Sequence, residues 1–422
     1  MLNYFFDYLQ SIDFPGAGMF HYVSFRAIVA LLLSLIISMW FGKKFIAYMK
    51  KRKHIEGARD AEIDPYGVQK KGVPSMGGIV IVCAIIIPTL LLCQLNNIYI
   101  FLLVITTIWF GALGFIDDKI KLGGNKDGMK PRTKMLGQLL LGCAVGITLW
   151  QSPQAVVCEN VTEVIKNDKI TYEKSEPRKS TVTTVPFVKD NNLDYYEAFA
   201  WISNGKVKRA CGWILFIIVT TFVIAAVSNG ANLNDGMDGM CAGNSAIIGI
   251  ALGTLAYVSG HIQLASYLNV MYIPGTDEML VFLCAFVGAL IGFLWHNAYP
   301  AKVFMGDTGS LAIGGIIAVT AIIIHKELLL PLLCGIFLIE VVSVMLQTNY
   351  AKYGNKRGLK LRVFKRAPFH DHFRVLQSQL QPNFKYIITK PNEALHENMI
   401  TLRFWIVTII LAALTIITLK IR

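Results

Sequence analysis

Ten unbroken apolar runs of membrane-crossing length alternate with polar segments along the chain. Each run is rich in Ile, Leu, Val and Phe and is close to the ~20 residues that an α-helix needs to cross a bilayer. Backbone inside a membrane must satisfy its own hydrogen bonds, which such segments do as helices. We therefore predict an all-α integral membrane protein with about ten transmembrane helices, at 23–48, 76–94, 98–116, 135–150, 211–228, 244–260, 279–296, 310–325, 328–349 and 402–420.

The composition supports a membrane protein. Of the 422 residues 54% are hydrophobic and only 16% are charged, and the mean hydropathy is +0.52. A soluble chain of this length could not keep so much apolar surface dry. The segment from Met1 to His21 contains Asp7 and Asp13 but no Lys or Arg, so it lacks the basic start of a cleaved signal peptide. We expect the first span to stay in the mature protein.

No internal repeat stands out, so residues 1–422 are expected to form a single polytopic membrane domain. Two long polar segments interrupt it. The segment 151–210 alternates polar and β-branched residues around Val182 to Val188, which is typical of a small hairpin but also occurs in an unstructured loop. The segment 350–401 carries the only pair of closely spaced histidines. The eight cysteines form no C-x-x-C pair and lie mostly within spans, so we expect them to be packing residues.

The basic residues predict the orientation. Lys and Arg are concentrated in the loops that follow odd-numbered spans, around residues 50–71, 119–134 and 356–366, and such loops usually face the cytoplasm. The loop 151–210 mixes its basic residues with glutamates, and long loops weigh little in this rule. Both termini are then expected on the outer side of the membrane. The net charge of +13 comes without any nucleic-acid-binding motif, so anionic lipid and substrate are the expected partners, and nucleic acid is not.

Acidic and histidine clusters follow odd-numbered spans throughout the chain. Four successive odd spans, from the third to the ninth, are followed by Asp117 with Asp118, by Asp235 with Asp238, by Asp307, and by His370 with His372. Odd spans all end at the same membrane face, so these groups can converge on one surface. Ionisable groups gathered at one membrane face are typical of a functional site. The pattern predicts an active site on the cytoplasmic face.

The aspartates allow more than one interpretation. Asp117 and Asp118 are suited to binding a divalent metal or accepting a proton, but two polar residues also simply end a helix. Asp235 and Asp238 lie among glycines and amides such as Asn232, which suits phosphate or sugar, although Asn and Gly also build tight loops. Asp307 suits a metal next to helix-start N–H groups that attract phosphate, or an ordinary helix cap.

Other candidates surround these carboxylates. His370 and His372 suit phosphate when charged or zinc when neutral, and zinc is not favoured because no softer ligands lie nearby. Phe304 offers a face for a flat base. The basic residues of this face suit a diphosphate, but positive-inside topology alone would also place lysines here. The remaining candidates for substrate binding are Lys70, Ser75, Lys121, Lys134 and Asn297.

Together these groups predict phosphoryl transfer between a soluble phosphate compound and a lipid. Carboxylates suit Mg²⁺, lysines and histidines suit phosphate, and the membrane supplies the lipid. A transporter is the alternative from another class of protein. Its polar groups should lie near the bilayer midplane on broken helices, whereas these lie at the ends of spans.

Several of these strings resemble a known family. Asp117-Asp118, the run from Asn232 to Gly239, the run from Phe304 to Ser310 and the run from Gly72 to Gly78 resemble the polyprenyl-phosphate N-acetylhexosamine-1-phosphate transferases. The order of motifs and the segment from Ala367 to His372 are most similar to the phospho-N-acetylmuramoyl-pentapeptide transferases within that superfamily. The resemblance covers nearly the whole chain except 151–210.

The resemblance implies a function and roles for the residues. It implies transfer of phospho-MurNAc-pentapeptide from UDP-MurNAc-pentapeptide to undecaprenyl phosphate, which gives lipid I and UMP, with Mg²⁺ as cofactor and a homodimer as the assembly. A related enzyme that uses UDP-GlcNAc is the alternative. Asp307 would be the magnesium ligand and Asp117 the base or orienter of the lipid phosphate, with Asp118 and Asp235 nearby. The uridine end would be held by Asp238, Asn297, Phe304 and Lys121, and phosphate or sugar would contact His370, His372 and Lys134.

The chain departs from the family pattern at two positions. The family usually has three consecutive histidines where this chain has His370, Asp371 and His372, so the role of the middle histidine is absent or altered. Ser75 replaces a usual threonine and keeps its hydroxyl. The expected reaction is direct attack of the lipid phosphate on the β-phosphate of the UDP-sugar, and a covalent route through an aspartate remains an alternative.

Overall fold

The apolar runs form helices that pack side by side in a computed structural model. The structure describes residues 16–52, 72–125, 128–159, 161–166, 169–186, 192–268 and 270–418. The helices of these ranges, apart from short 3₁₀ turns, are α1 Val23–Lys51, α2 Gly78–Leu92, α3 Ile98–Leu122, α4 Pro131–Gln151, α5 Gly205–Asn234, α6 Met240–Gly260, α7 Ile262–Leu268, α8 Met279–Asn297, α9 Gly306–Ile323, α10 Leu330–Leu333, α11 Gly335–Asn355, α12 Phe369–His372 and α13 Glu397–Thr418.

The helical membrane protein predicted from the apolar runs is confirmed in its main feature. Within the described ranges, eight helices are long and apolar enough to cross a membrane: α1, α3, α4, α5, α6, α8, α9 and α13. Each coincides with one of the predicted spans. Most of them begin or end outside the predicted bounds; α5, for example, begins at Gly205 and ends at Asn234 rather than covering 211–228, whereas α9 and α13 end two residues short of the prediction.

The other two predicted spans take different forms. The second is α2, an apolar helix of 15 residues with Pro88 inside it, which is shorter than a usual span. The ninth is broken: the helical segments Glu327–Leu333 and Gly335–Asn355 meet at an angle of 78°. Gly335 lies at the break and allows close packing, because a Cβ there would lie 2.9 Å from Leu411 Cδ1 of α13.

The segment 151–210 folds into small sheets at the end of the bundle away from the aspartates. Strands β1 (Val161–Lys166) and β2 (Lys169–Lys174) form an antiparallel hairpin, and β3 (Val182–Thr184) pairs with β4 (Asn192–Asp194) in the same way. The Thr184 N–H donates to His325 O at 3.0 Å, and Tyr195 Oη donates to Glu327 Oε1 at 2.8 Å. These contacts attach the segment to the turn between α9 and α10. In the segment 350–401, β5 (Leu361–Arg362) pairs in parallel with β6 (Lys385–Tyr386).

Helix α9 is the centre of the bundle. Nearly every residue between Gly306 and Ile323 is buried, and α2, α3, α5 and α6 surround it. Helices α1 and α8 pack closely beside this core, where Ser34 Oγ donates to Ala285 O at 2.6 Å and Ser38 Oγ donates to Ala289 O at 2.9 Å. The N-terminus of α9 thereby becomes a rigid base on which loops from several helices converge.

Candidate active site

Three predicted carboxylates meet at the N-terminus of α9. Asp117 and Asp118 lie in the last two turns of α3, and Asp307 lies in the first turn of α9. One carboxylate oxygen from each lies within 4.8 Å of the others, and all three residues are buried. The sequence separates Asp307 from the pair by nearly 190 positions, so the fold creates this cluster.

Asp118 caps helix α9. Its Oδ1 accepts the Asp307 N–H at 3.0 Å, while its Oδ2 accepts the Thr308 N–H at 3.0 Å and the Thr308 hydroxyl at 2.6 Å. Exposed N–H groups at a helix start are stabilised by a nearby carboxylate. Asp118 therefore fixes the backbone that carries Asp307.

Two lysines bridge the other carboxylates. Lys121 Nζ lies 2.8 Å from Asp117 Oδ2 and 3.1 Å from Asp307 Oδ1. Lys134, from the start of α4, pairs with Asp307 Oδ2 and lies 3.8 Å from Asp117 Oδ2. The Met129 N–H donates to Asp117 Oδ1 at 2.5 Å. Two ammonium groups are thus held beside three carboxylates, and Lys121 remains 38% exposed.

Small residues bring the carboxylates together. A Cβ at Gly114 of α3 would lie 2.2 Å from the backbone oxygen of Asp307, so only glycine permits this contact. Gly306 has a φ of +73°, and a Cβ there would lie 2.7 Å from Asp118 Oδ2. The glycines therefore set the separation of the three aspartates.

The loop that follows α5 forms the next wall. Asn232, on the last turn of α5, donates from Nδ2 to Asp307 Oδ1 and Ser310 Oγ, each at 2.9 Å, so it lies within the carboxylate cluster. Asp235 ends α5 as its C-cap and is partly exposed. It does not belong to the cluster of three, and the next residue, Gly236, packs against His370.

Asp238 and Asn297 hold two loops together. The Asp238 carboxylate accepts the Ala301 N–H at 2.9 Å. Asn297 accepts the Gly239 N–H at 3.1 Å and donates to Val303 O at 2.9 Å. Both side chains are buried, at 3% exposure each. These contacts give them a structural role, and their predicted contact with uridine stays a prediction.

The run around Phe304 lies against the segment Gly72 to Gly78. The Phe304 N–H donates to Pro74 O at 2.9 Å, and the Gly77 N–H donates to Phe304 O at 2.8 Å. Ser75 is buried in this contact, while Phe304 is half-buried and borders the N-terminus of α9. The placement leaves a base-stacking role for Phe304 as a prediction. Lys70 lies outside the described residues.

The two histidines have different surroundings. His370 is buried and packs on Gly236, where a Cβ would lie 2.1 Å from His370 Nε2. His372 Nδ1 accepts the Lys365 N–H at 3.1 Å, and its Nε2 lies 2.7 Å from Lys390 O. Burial lowers the pKa of His372. Both ring nitrogens of His372 contact backbone, which gives it a structural role, and its predicted contact with phosphate or sugar stays a prediction.

Several residues of the site were not predicted as such. Thr308 and Met129 complete the contacts of Asp118 and Asp117, and a threonine beside an aspartate gives no distinctive sequence signal. Glu397 accepts the Asp238 N–H at 3.0 Å. Glu340, the single acid inside the ninth apolar run, is another such residue, and its Oε2 lies 3.1 Å from His370 Nδ1. All eight cysteines are free, and four of them, Cys93, Cys158, Cys241 and Cys334, are buried as expected of packing residues, whereas Cys143 is exposed.

The cluster fits a hard cation. Three carboxylates supply oxygen donors, which Mg²⁺ and similar ions prefer, and no sulfur or imidazole ligand belongs to the cluster among the described residues. A carboxylate has about four acceptor sites, so even Asp118, with three of them used by α9, retains capacity. Asp117, Asp118 and Asp307 are therefore the residues that could hold a metal ion.

The site belongs to a known family. A family model described as "Glycosyl transferase family 4" matches residues 100–325, which include the three aspartates and the loop after α5. The chain is 60% identical over 425 residues to a Phocaeicola vulgatus protein, 58% over 424 residues to a Bacteroides fragilis protein and 51% over 427 residues to a Parabacteroides distasonis protein. Each alignment covers 100% of both chains, and each relative is named phospho-N-acetylmuramoyl-pentapeptide-transferase. The chain therefore belongs to glycosyl transferase family 4 and, within it, to the phospho-N-acetylmuramoyl-pentapeptide-transferases.

Proposed function

We propose that this protein transfers phospho-MurNAc-pentapeptide from UDP-MurNAc-pentapeptide to undecaprenyl phosphate, producing lipid I and UMP in the first membrane step of peptidoglycan synthesis. The observation that carries the proposal is the meeting of Asp117, Asp118 and Asp307 with two lysines at the N-terminus of a buried helix. Full-length relatives with the matching name support the choice of substrates.

The cofactor of the proposed reaction is Mg²⁺. Asp307 would hold it, with Asp117 and Asp118 as the other oxygen donors of the cluster. When bound, the ion would neutralise negative charge on the diphosphate. Phosphoryl transfer depends mainly on positioning and on the neutralisation of charge, so the remaining work falls to residues that orient the two phosphates.

Residues of the chain would orient both substrates. Lys121 and Lys134 place two ammonium groups beside the carboxylates and suit the diphosphate of the donor. Asp117 makes fewer bonds to protein backbone than Asp118, and we assign it the orientation or deprotonation of the lipid phosphate. Phe304, beside the start of α9, would stack on the uracil.

The proposed setting is the bacterial cytoplasmic membrane. The basic loops favour a cytoplasmic position for the aspartate end of the bundle, where a soluble nucleotide substrate is available, and a periplasmic position for both termini. Ten spans would result if α2 and the bent pair α10 and α11 each cross the membrane. The homodimer is proposed from the family resemblance alone.

The decisive experiment is UMP release by purified protein in detergent with undecaprenyl phosphate, Mg²⁺ and either UDP-MurNAc-pentapeptide or UDP-GlcNAc. We expect release only with the muramoyl donor. UMP release only with UDP-GlcNAc would identify a different transferase of the superfamily. No UMP release with either donor would favour a transporter.

A variant pair tests the metal assignment. Asp307→Ala should show no turnover at any Mg²⁺ concentration, because it removes the carboxylate that both lysines and Asn232 contact. Asp277→Ala, in a short 3₁₀ turn just before α8, is the matched control and should keep normal turnover. Normal rates from Asp307→Ala would overturn the assignment.

A further inference from the structure

A buried glutamate lies inside the ninth apolar segment, away from the cluster of three aspartates. Glu340 of α11 is fully buried, at 0% exposure. Its Oε2 lies 3.1 Å from His370 Nδ1 and also accepts the His370 N–H at 3.4 Å. Its Oε1 makes no hydrogen bond with any residue that the structure describes. His370 Nδ1 makes no hydrogen bond of good geometry with any described residue, so its 3.1 Å approach to Oε2 is a close polar contact beside the backbone hydrogen bond. The polar contacts that the structure gives this carboxylate are therefore with His370.

The other side of the same imidazole faces a second carboxylate. His370 Nε2 lies 3.6 Å from Asp371 Oδ1, and Asp371 is itself held by Arg366 at 3.2 Å and by Arg374 at 3.4 Å. The ring also rests on Gly236, which has no side chain to intervene. The ring therefore has contacts on three sides, one of them with the loop that follows Asp235.

Burial of a carboxylate inside a membrane segment is costly unless a partner offsets the cost. Packing alone would be served equally well by Leu or Met at position 340. A carboxylate is useful here because it can fix both the position of an imidazole and the nitrogen that carries the proton, as carboxylate partners do for other functional histidines.

We infer that Glu340 is a positioning residue for His370, and that Glu340 and Asp371 together clamp the imidazole against the Asp235–Gly239 loop beside the active site. The clamp explains why this chain accommodates an aspartate at position 371. The side chain there supplies a carboxylate to the neighbouring ring and to two arginines. The inference rests on the proposed transferase function only for its kinetic test.

The kinetic test is a double-mutant cycle on UMP release. Glu340→Ala should lower kcat by roughly 10- to 100-fold, the scale of misplacing a catalytic group by about 1 Å. In a His370→Ala background, Glu340→Ala should cause no further loss, because it acts through the missing ring. Glu340→Gln keeps the length and one acceptor oxygen, so it should restore most of the rate. Losses that multiply in the double variant would overturn the inference.

A matched control lies one turn along the same helix. Ser343 is also buried, and its hydroxyl donates to Glu340 O at 2.7 Å rather than to His370. Ser343→Ala should leave kcat and the KM for the nucleotide unchanged. An equal loss in Ser343→Ala and Glu340→Ala would show that α11 tolerates no change in this region, and the positioning role would be rejected.

A chemical test works whether or not the protein turns over these substrates. Diethyl pyrocarbonate modifies accessible imidazole nitrogens, and mass spectrometry locates the product. His370 should be protected in the wild type and in Ser343→Ala but should be modified faster in Glu340→Ala. Unchanged protection in Glu340→Ala would overturn the clamp. If wild-type protein releases no UMP while protection changes as expected, the proposed function fails and the clamp stands.

Discussion

At the residue scale, Asp117 and Asp118 are neighbours in the chain with different surroundings. The Asp118 carboxylate accepts hydrogen bonds from the first N–H groups of α9 and from the Thr308 hydroxyl. The Asp117 carboxylate pairs with Lys121 and accepts one backbone N–H. The sequence presents the pair as equivalent. Only the fold shows that Asp118 is bonded mainly to the start of α9 whereas Asp117 lies beside the lysines, and this difference supports the proposal that Asp117 acts on the lipid phosphate.

This difference predicts that two isosteric variants will lose stability and turnover to different extents. Asp118→Asn places an NH₂ group against N–H donors, so it should lower the free energy of unfolding by about 1–3 kcal/mol as well as reducing turnover. Asp117→Asn should abolish turnover with a smaller loss of stability. Thermal unfolding in detergent, measured beside UMP release, checks both. Equal losses of stability in the two variants would contradict the assignment.

The histidines show the same limit of sequence reasoning. His370 and His372 form one motif in the sequence, and both were expected to contact the substrate. The structure gives His372 two backbone partners and places His370 on the loop of Asp235. Spacing in the chain could not separate the surroundings of the two histidines, because those depend on residues elsewhere in the sequence such as Glu340 and Lys390, and their predicted contact with substrate stays a prediction.

At the element scale, the hydropathy pattern predicts where helices lie but not how closely they approach. All ten apolar runs contain helices, since each had the length and composition for one. The break at Cys334 and Gly335 was missed, because the run stays apolar across it and the bend depends on packing against α13. The sequence also gave no signal for the contact between α3 and α9, although that contact sets the geometry of the carboxylates.

Two glycines of α3 provide a test of that contact. Gly114→Ala would place a Cβ 2.2 Å from Asp307 O, which is backbone and cannot easily move. We expect a loss of stability of about 1–3 kcal/mol and a fall in kcat on the order of 100-fold, because α3 and its aspartates must shift. Turnover and thermal unfolding measure the two effects.

Gly111→Ala is the matched control for this prediction. It lies one turn earlier on α3, and its Cβ would meet the Val82 side chain at 3.2 Å, a contact that a small rotation relieves. Its kcat should remain close to wild type. A similar fall in kcat for both variants would mean that α3 responds generally to added volume rather than through Asp307.

At the scale of the whole molecule, the two ends of the bundle have separate tasks. One end holds the carboxylates and the lysines. The other end holds the sheets of the segment 151–210, whose strand β3 contacts His325 and whose Tyr195 contacts Glu327. The sequence indicated this polar segment and left open whether it forms a small hairpin or an unstructured loop. It gave no signal for the attachment, because the partners are more than 100 residues apart.

His325 makes the stability of the distant end depend on pH. Burial, helped by Lys326, lowers its pKa to about 4. Because the unfolded chain binds a proton near pH 6.5 and the folded chain does not, stability should fall as the pH drops from 6.5 toward 4, by up to about 2 kcal/mol at pH 5. His325→Asn tolerates the positive φ of 53° and should reduce this slope. Melting temperatures at pH 7.5 and pH 5 measure the change, and an unaltered slope in the variant would refute the assignment.

The orientation of the molecule in the membrane can be tested at two exposed serines. Ser203 precedes α5 at the end that holds the sheets, and Ser378 lies in the segment 350–401 at the end that holds the aspartates. If the basic loops face the cytoplasm, a membrane-impermeant maleimide should label Ser203→Cys in intact spheroplasts and should label Ser378→Cys only after lysis. Wild-type protein, which carries the eight native cysteines, gives the background. Labelling of Ser378→Cys before lysis would show that the topology is the reverse of the proposed one. The carboxylates would then lie on the side of the membrane where no nucleotide substrate is supplied.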